Sequence, residues 1–76
     1  MAVTVRFFAS LREQIGYAER TLDAVPVSIA AAWEEAAGGR ELPPNLLAAV
    51  NMEYVDLDHV VVDGDEVAFF PPVTGG

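Results

Sequence analysis

The side chains that usually do covalent chemistry are scarce in this sequence. It contains no cysteine and no lysine, which excludes a thiolate nucleophile, a thiolate zinc site and a lysine Schiff base. His59 is the lone imidazole, and one nitrogen ligand builds no metal site. With Asp56 and Asp58 close by in sequence, His59 offers the base-and-carboxylate pairing that can activate a hydroxyl. The candidate hydroxyls, however, have another use. Ser10 and Ser28 both stand where helices are expected to begin and read as caps, and nothing resembles a nucleophile elbow. His59 therefore reads as a solvated loop residue. Asp63-Gly64-Asp65 holds two acids of a calcium loop, but the other ligands of that loop are missing and a tight turn accounts for it. No metal site is expected.

The C-terminal stretch is different. Val67-Ala68-Phe69-Phe70 has strand composition and runs into Pro71-Pro72-Val73-Thr74-Gly75-Gly76. The two prolines cannot donate to a sheet ladder, and they hold the backbone extended. Six residues from Pro71 onward span roughly 20 Å at about 3.3–3.6 Å each. Gly75 and Gly76 carry no Cβ, so backbone here can pass through a slot too narrow for other residues. The expected reactive group is therefore the terminal carboxylate of Gly76, at the tip of an extended tail formed by residues 71–76.

Such a tail needs a folded body, expected over residues 1–70. The 76 residues suffice for one domain. With no disulfide available, the fold must rest on an apolar core, for which 53% apolar residues are ample. Four arginines against twelve acids leave a formal charge of -8. That field repels phosphate backbones and anionic lipid, so neither nucleic acid nor a membrane is expected as a partner, whereas a basic groove would suit. The N-terminus lacks a signal pattern and no apolar run approaches the roughly 20 residues of a membrane span. A cytoplasmic protein is expected.

Val3, Val5 and Phe7 alternate with Thr4, Arg6 and Phe8, predicting a first strand. Ser10-Leu11-Arg12-Glu13 fits a capping box, with Gly16 as stop, so a short helix is expected over residues 11–15. Tyr17 to Leu22 predicts a second strand, antiparallel to the first. Ser28 caps the main helix, whose buried stripe is Ile29, Ala32, Trp33, Ala36 and Ala37, with Trp33 as core anchor. Gly38-Gly39 ends it, and Arg40 to Asn45 is a loop stiffened by Pro43-Pro44. Short strands are expected at Leu46–Asn51 and Tyr54–Val55 around a turn near Met52-Glu53. Asp56 to His59 is polar connection, and Glu66 to Phe70 is the last strand. This order predicts an α+β roll of the β-grasp type, a mixed sheet covered by one main helix.

Val5-Arg6-Phe7-Phe8-Ala9-Ser10-Leu11-Arg12-Glu13, Ala49-Val50-Asn51 and the run from Asp63-Gly64-Asp65-Glu66 through Phe69-Phe70-Pro71-Pro72 to Gly75-Gly76 closely resemble the small, sulfur-carrier subunit of molybdopterin synthase, of the ubiquitin-like β-grasp family. The resemblance extends over essentially the whole chain. It implies that an ATP-dependent, E1-like activating enzyme, using ATP and magnesium, adenylates the Gly76 carboxylate, and that a sulfur donor converts it to a thiocarboxylate. It further implies that the tail enters the large synthase subunit, where sulfur passes to cyclic pyranopterin monophosphate in molybdenum cofactor biosynthesis. Two small and two large subunits would form a heterotetramer, the catalytic side chains would lie on the partners, and this chain would bind no cofactor.

The grip surface is expected at the base of the tail. Alternation turns Val67 and Phe69 to one face of the last strand and Ala68 and Phe70 to the other. Phe70 and Phe8 are assigned outward, with Tyr54 as neighbour, as an apolar patch for partners; the alternative puts both phenylalanine pairs in the core. Arg12 is a candidate to pair with an acidic partner residue, the alternative being a solvated arginine. The rival functions are sulfur donation for thiamine or tRNA thiolation, a ubiquitin-like modifier joined through Gly76 to target lysines, and a binding module with an inert tail.

Overall fold

The computed structural model describes residues 2–72. The elements run β1 (Val3–Phe7), α1 (Ser10–Ile15), β2 (Glu19–Leu22), α2 (Ile29–Ala36), β3 (Leu47–Val50), β4 (Glu53–Val55) and β5 (Glu66–Phe70). The sheet order is β2-β1-β5-β3-β4. Its central pair, β1 and β5, is parallel and every other pair is antiparallel. With α2 across one face, this is the expected β-grasp roll.

Strand alternation builds the core. Val3, Val5, Phe7, Val67 and Phe69 are all buried, and the register sets Val5 beside Val67 and Phe7 beside Phe69. The stripe of α2 closes over them as the sequence predicts, with Ile29, Ala32, Trp33, Ala36 and Ala37 buried. Trp33 meets Phe7 and Phe69 edge-on, with ring centroids 5.7 and 5.2 Å apart, the geometry that aromatic quadrupoles favour. Its indole N–H donates to the Arg40 carbonyl at 3.0 Å, so the buried polar atom is satisfied.

The first N–H groups of a helix have no partner within it. At α2, Ser28 Oγ accepts from the Ala31 N–H at 3.2 Å, as its cap position predicts. The Ile29 and Ala30 N–H groups donate to the His59 and Leu57 carbonyls at 3.1 and 2.9 Å. The polar connection after β4 thus also closes the helix, a role its composition did not reveal.

Three local expectations change. Ser10 does not cap α1: Ala9 occupies the cap position and no side chain accepts there. The chain leaves β1 in a backbone turn, and the Leu11 and Arg12 N–H groups donate to the Phe8 and Ala9 carbonyls instead. Gly16 does stop the helix, in the left-handed conformation. Next, β2 starts at Glu19 rather than Tyr17; Tyr17 packs edge-on against Phe7 and donates its hydroxyl to the Ala36 carbonyl at the end of α2. Last, the β3–β4 hairpin turns at Asn51-Met52, one residue early, both at positive φ, as a type I′ turn requires.

Asp65 is more than a turn residue. It is buried, and its carboxylate accepts from Asn51 Nδ2 at 3.0 Å and from the Val62 N–H at 2.9 Å. Asn51 Oδ1 in turn accepts from the Glu66 N–H at 3.0 Å. This cluster ties the hairpin to the start of β5.

The packing around Trp33 generates a stability prediction. Trp33→Ala should cost about 3–5 kcal/mol, the usual loss for a buried aromatic, out of the roughly 5–15 kcal/mol that holds a domain folded. Urea unfolding followed by circular dichroism measures it. A loss below about 1 kcal/mol would remove Trp33 from the anchoring role.

Candidate functional site

Among the described residues, no element covers the face of the sheet opposite α2. Alternation sends Arg6 of β1, Glu66, Ala68 and Phe70 of β5, and Ala49 of β3 to that side, and the register places Ala49 beside both Ala68 and Tyr54. Phe8, one residue past β1, stays on this face because its N–H donates to the Phe69 carbonyl at 3.2 Å. The Phe8 and Phe70 rings stack with centroids 4.8 Å apart and planes 10° apart. Tyr54 leans on Phe70 at 6.1 Å. The outward assignment of Phe8, Phe70 and Tyr54 therefore holds: Phe8 is 37% exposed and Tyr54 73%, while Phe7 and Phe69 lie in the core.

The aromatics rim a shallow hollow of about 340 Å³ floored by Ala49 and Ala68 and flanked by Met52, Arg6 and Glu66. A larger one of about 460 Å³ lies past Tyr54, along Leu46–Ala48 and Val55–Leu57, with Asp56 as its one ionisable group apart from the Tyr54 phenol. It holds no paired charge, so chemistry does not select it. Arg6 stands between Glu66 at 3.2 Å and Glu19 at 3.5 Å. All three side chains are about half exposed, so the pairs add little stability; they fix charge positions beside the apolar patch.

Arg12 is exposed on α1, and among the described residues both ion pairs belong to Arg6. His59 is exposed and serves through its backbone. Among the described residues no group of three histidine or acidic side chains could hold a metal ion, and no helix is long and apolar enough to cross a membrane. Pro71 and Pro72 follow β5 directly and are half-buried. The site residues Val73, Thr74, Gly75 and Gly76 lie outside the described residues.

Alternation already set Arg6 and Ala68 on the side of Phe8 and Phe70, but sequence reasoning missed Glu66, Ala49 and Met52 as neighbours of the aromatics. Glu66 was available by counting back in twos from Phe70. Ala49 and Met52 depend on cross-strand register, which carries no local signal.

Comparison with known proteins places this geometry in context. A family model described as the ThiS family matches residues 5–76. The chain is 44% identical, over an 81-residue alignment, to the molybdopterin synthase sulfur carrier subunit of Escherichia coli strain K12, with 97% of this chain and 99% of that protein covered. Among solved structures, SAMP1 from Haloferax volcanii, a small archaeal modifier protein, matches with a TM-score of 0.81 at 26% identity, covering 100% of both chains. The complex of subunits 1 and 2 of the molybdopterin-converting factor from Helicobacter pylori 26695 contains a chain matching with a TM-score of 0.64 at 29% identity, again over 100% of both.

Adjacent phenylalanines on opposite faces should respond differently to truncation. Phe69→Ala should cost about 3–5 kcal/mol of folding stability, whereas Phe70→Ala, half-exposed on the open face, should cost less than about 2. Paired urea unfolding curves decide the matter. Equal losses would put Phe70 in the core and remove it from the open face.

Proposed function

The chain belongs to the ThiS family, and from that premise we propose that it carries sulfur on the carboxylate of Gly76 for molybdopterin synthase. Its kinship with the molybdopterin synthase sulfur carrier subunit supplies the coarse role. The observation that carries the reading further is the stacked Phe8–Phe70 pair on the uncovered face, where β5 hands over to Pro71-Pro72. An aromatic grip at the root of a narrow tail is what a partner needs in order to hold the body while the tip enters its active site.

The chemistry follows from the poor electrophilicity of a carboxylate. An activating enzyme, using ATP and magnesium, lets a Gly76 carboxylate oxygen attack the α-phosphorus, and pyrophosphate leaves. Sulfide-level sulfur released by a donor, as hydrosulfide, then attacks the acyl carbon, its proton is lost, AMP departs, and a thiocarboxylate results. In the large subunit that sulfur passes to cyclic pyranopterin monophosphate. This chain supplies position and an unhindered acyl terminus, and the partners supply the catalytic side chains. The complex of subunits 1 and 2 from Helicobacter pylori supports a large-subunit partner; the proposed assembly is a heterotetramer of two small and two large subunits.

A second reading, a modifier joined through Gly76 to lysines of other proteins, is favoured by the likeness to SAMP1. Without a lysine of its own, this chain could not form lysine-linked chains on itself. Mass spectrometry of the protein recovered from cells separates the readings: oxygen replaced by sulfur at Gly76 supports the carrier, and isopeptide adducts support the modifier.

The tail supplies the direct test. Removing Gly76 leaves the carboxylate about 3.5 Å short, and errors of about 1 Å can already cost a hundredfold in catalysis. Adding one residue turns the Gly76 carboxylate into an amide. Both variants should melt like the parent and fail in thiocarboxylate formation with the activating enzyme and in precursor conversion with the large subunit. Gly75→Val, which keeps length and carboxylate but fills the slot, should fold normally and fail as well. Turnover by the extended variant without trimming would overturn the carrier reading.

A further inference from the structure

Among the described residues, four that are not glycine have positive φ, namely Ala9, Asn45, Asn51 and Met52. The asparagines tolerate that region, and Met52 completes the hairpin turn begun by Asn51. Ala9 is different, at φ 53° and ψ −130°, outside the left-handed helical region. These are close to the angles of the first central residue of a type II′ turn, about +60° and −120°, where glycine is the default. The turn is closed by the Leu11 N–H donating to the Phe8 carbonyl at 3.1 Å. An L-alanine is strained there. Its side chain is exposed, so burial of the methyl does not explain why glycine is absent.

The position of the strain is informative. On one side is Phe8, paired through its N–H with Phe69 and stacked on Phe70. On the other is α1 with Arg12, whose N–H donates to the Ala9 carbonyl at 3.1 Å. Ala9 is thus the pivot between the aromatic patch and the exposed cation. Glycine would relieve the strain, yet it would widen the pivot's freedom, and freedom at a docking surface must be given up on binding. We infer that Ala9 is a positioning residue, its methyl restricting the pivot so that the Phe8 ring and the Arg12 helix meet a partner in a fixed relation. This rests on the reading of the open face as the surface gripped by the large subunit.

The test compares the parent with Ala9→Gly and with Ala9→D-Ala introduced by chemical synthesis. D-alanine mirrors the preferences of L-alanine, so it keeps the methyl and accepts these angles without strain. Three quantities are read: backbone order parameters at residues 8–12 in the free protein, melting temperature, and affinity for the large subunit. Ala9→D-Ala should melt about 4–8 °C above the parent, retain order parameters near about 0.85 and bind as the parent does. Ala9→Gly should melt no lower than the parent, lose order at residues 8–12 and bind up to about fivefold more weakly, the factor for roughly 1 kcal/mol of added backbone freedom. Ala9→Gly with parental order and affinity would overturn the inference. So would an affinity loss matched by a lower melting temperature, or Ala9→D-Ala melting below the parent. If the parent itself does not bind the large subunit, the reading of the open face fails, and the order parameters of the free protein still decide whether Ala9 restricts the pivot.

Discussion

The parallel pairing of β1 with β5 puts Phe7 beside Phe69, and the rest of the structure is arranged around that contact. On the inner side the two rings, with Trp33 edge-on to both, form an aromatic cluster in the core. The same pairing has an outer side. Because neighbouring residues on a strand face opposite ways, fixing Phe7 and Phe69 inward sends Phe8 and Phe70 outward, where they stack. One backbone register therefore sets both the stability of the body and the surface at the root of the tail. A slip of one residue in β5 would exchange the two sets and destroy both together.

Much of this is legible in the sequence. The alternation in Val3–Phe7 and Glu66–Phe70, the stripe of Ile29, Ala32, Trp33 and Ala36, and the glycine after α1 each carry a periodic or conformational signal. What was not legible depends on contacts distant in sequence. Ser10 has the composition of a cap, but the backbone turn at Ala9 satisfies the donors first. Tyr17 has strand propensity, but its hydroxyl is drawn to the end of α2. Asp65 reads as a turn acid, and only the fold brings Asn51 to its carboxylate. The aromatic half of the candidate site could be read from alternation alone, whereas its alanine floor needed the β3–β5 register.

The two faces differ in chemistry in a way that suits a carrier. The helix side is acidic, with Glu34 and Glu35 exposed on α2, and the net charge of -8 disfavours non-specific association with polyanions. The open side concentrates exposed apolar surface around Phe8, Phe70 and Tyr54 and sets the bracketed Arg6 next to it. In the proposed docking, apolar area there would supply affinity, while the charges of Arg6, Glu19 and Glu66 would favour one orientation of a partner over others.

The proposed grip of a partner on the open face at the root of the tail can be observed directly. The most direct measurement is an NMR titration of the isotopically labelled chain with the large synthase subunit, following every backbone amide. Perturbations should concentrate at Phe8, Ala49, Tyr54, Ala68 and Phe70, and continue into the residues after Pro72, while the outer surface of α2 at Ala30, Glu34 and Glu35 stays unchanged. Perturbations centred on α2 with the Phe8–Phe70 pair unaffected would contradict it.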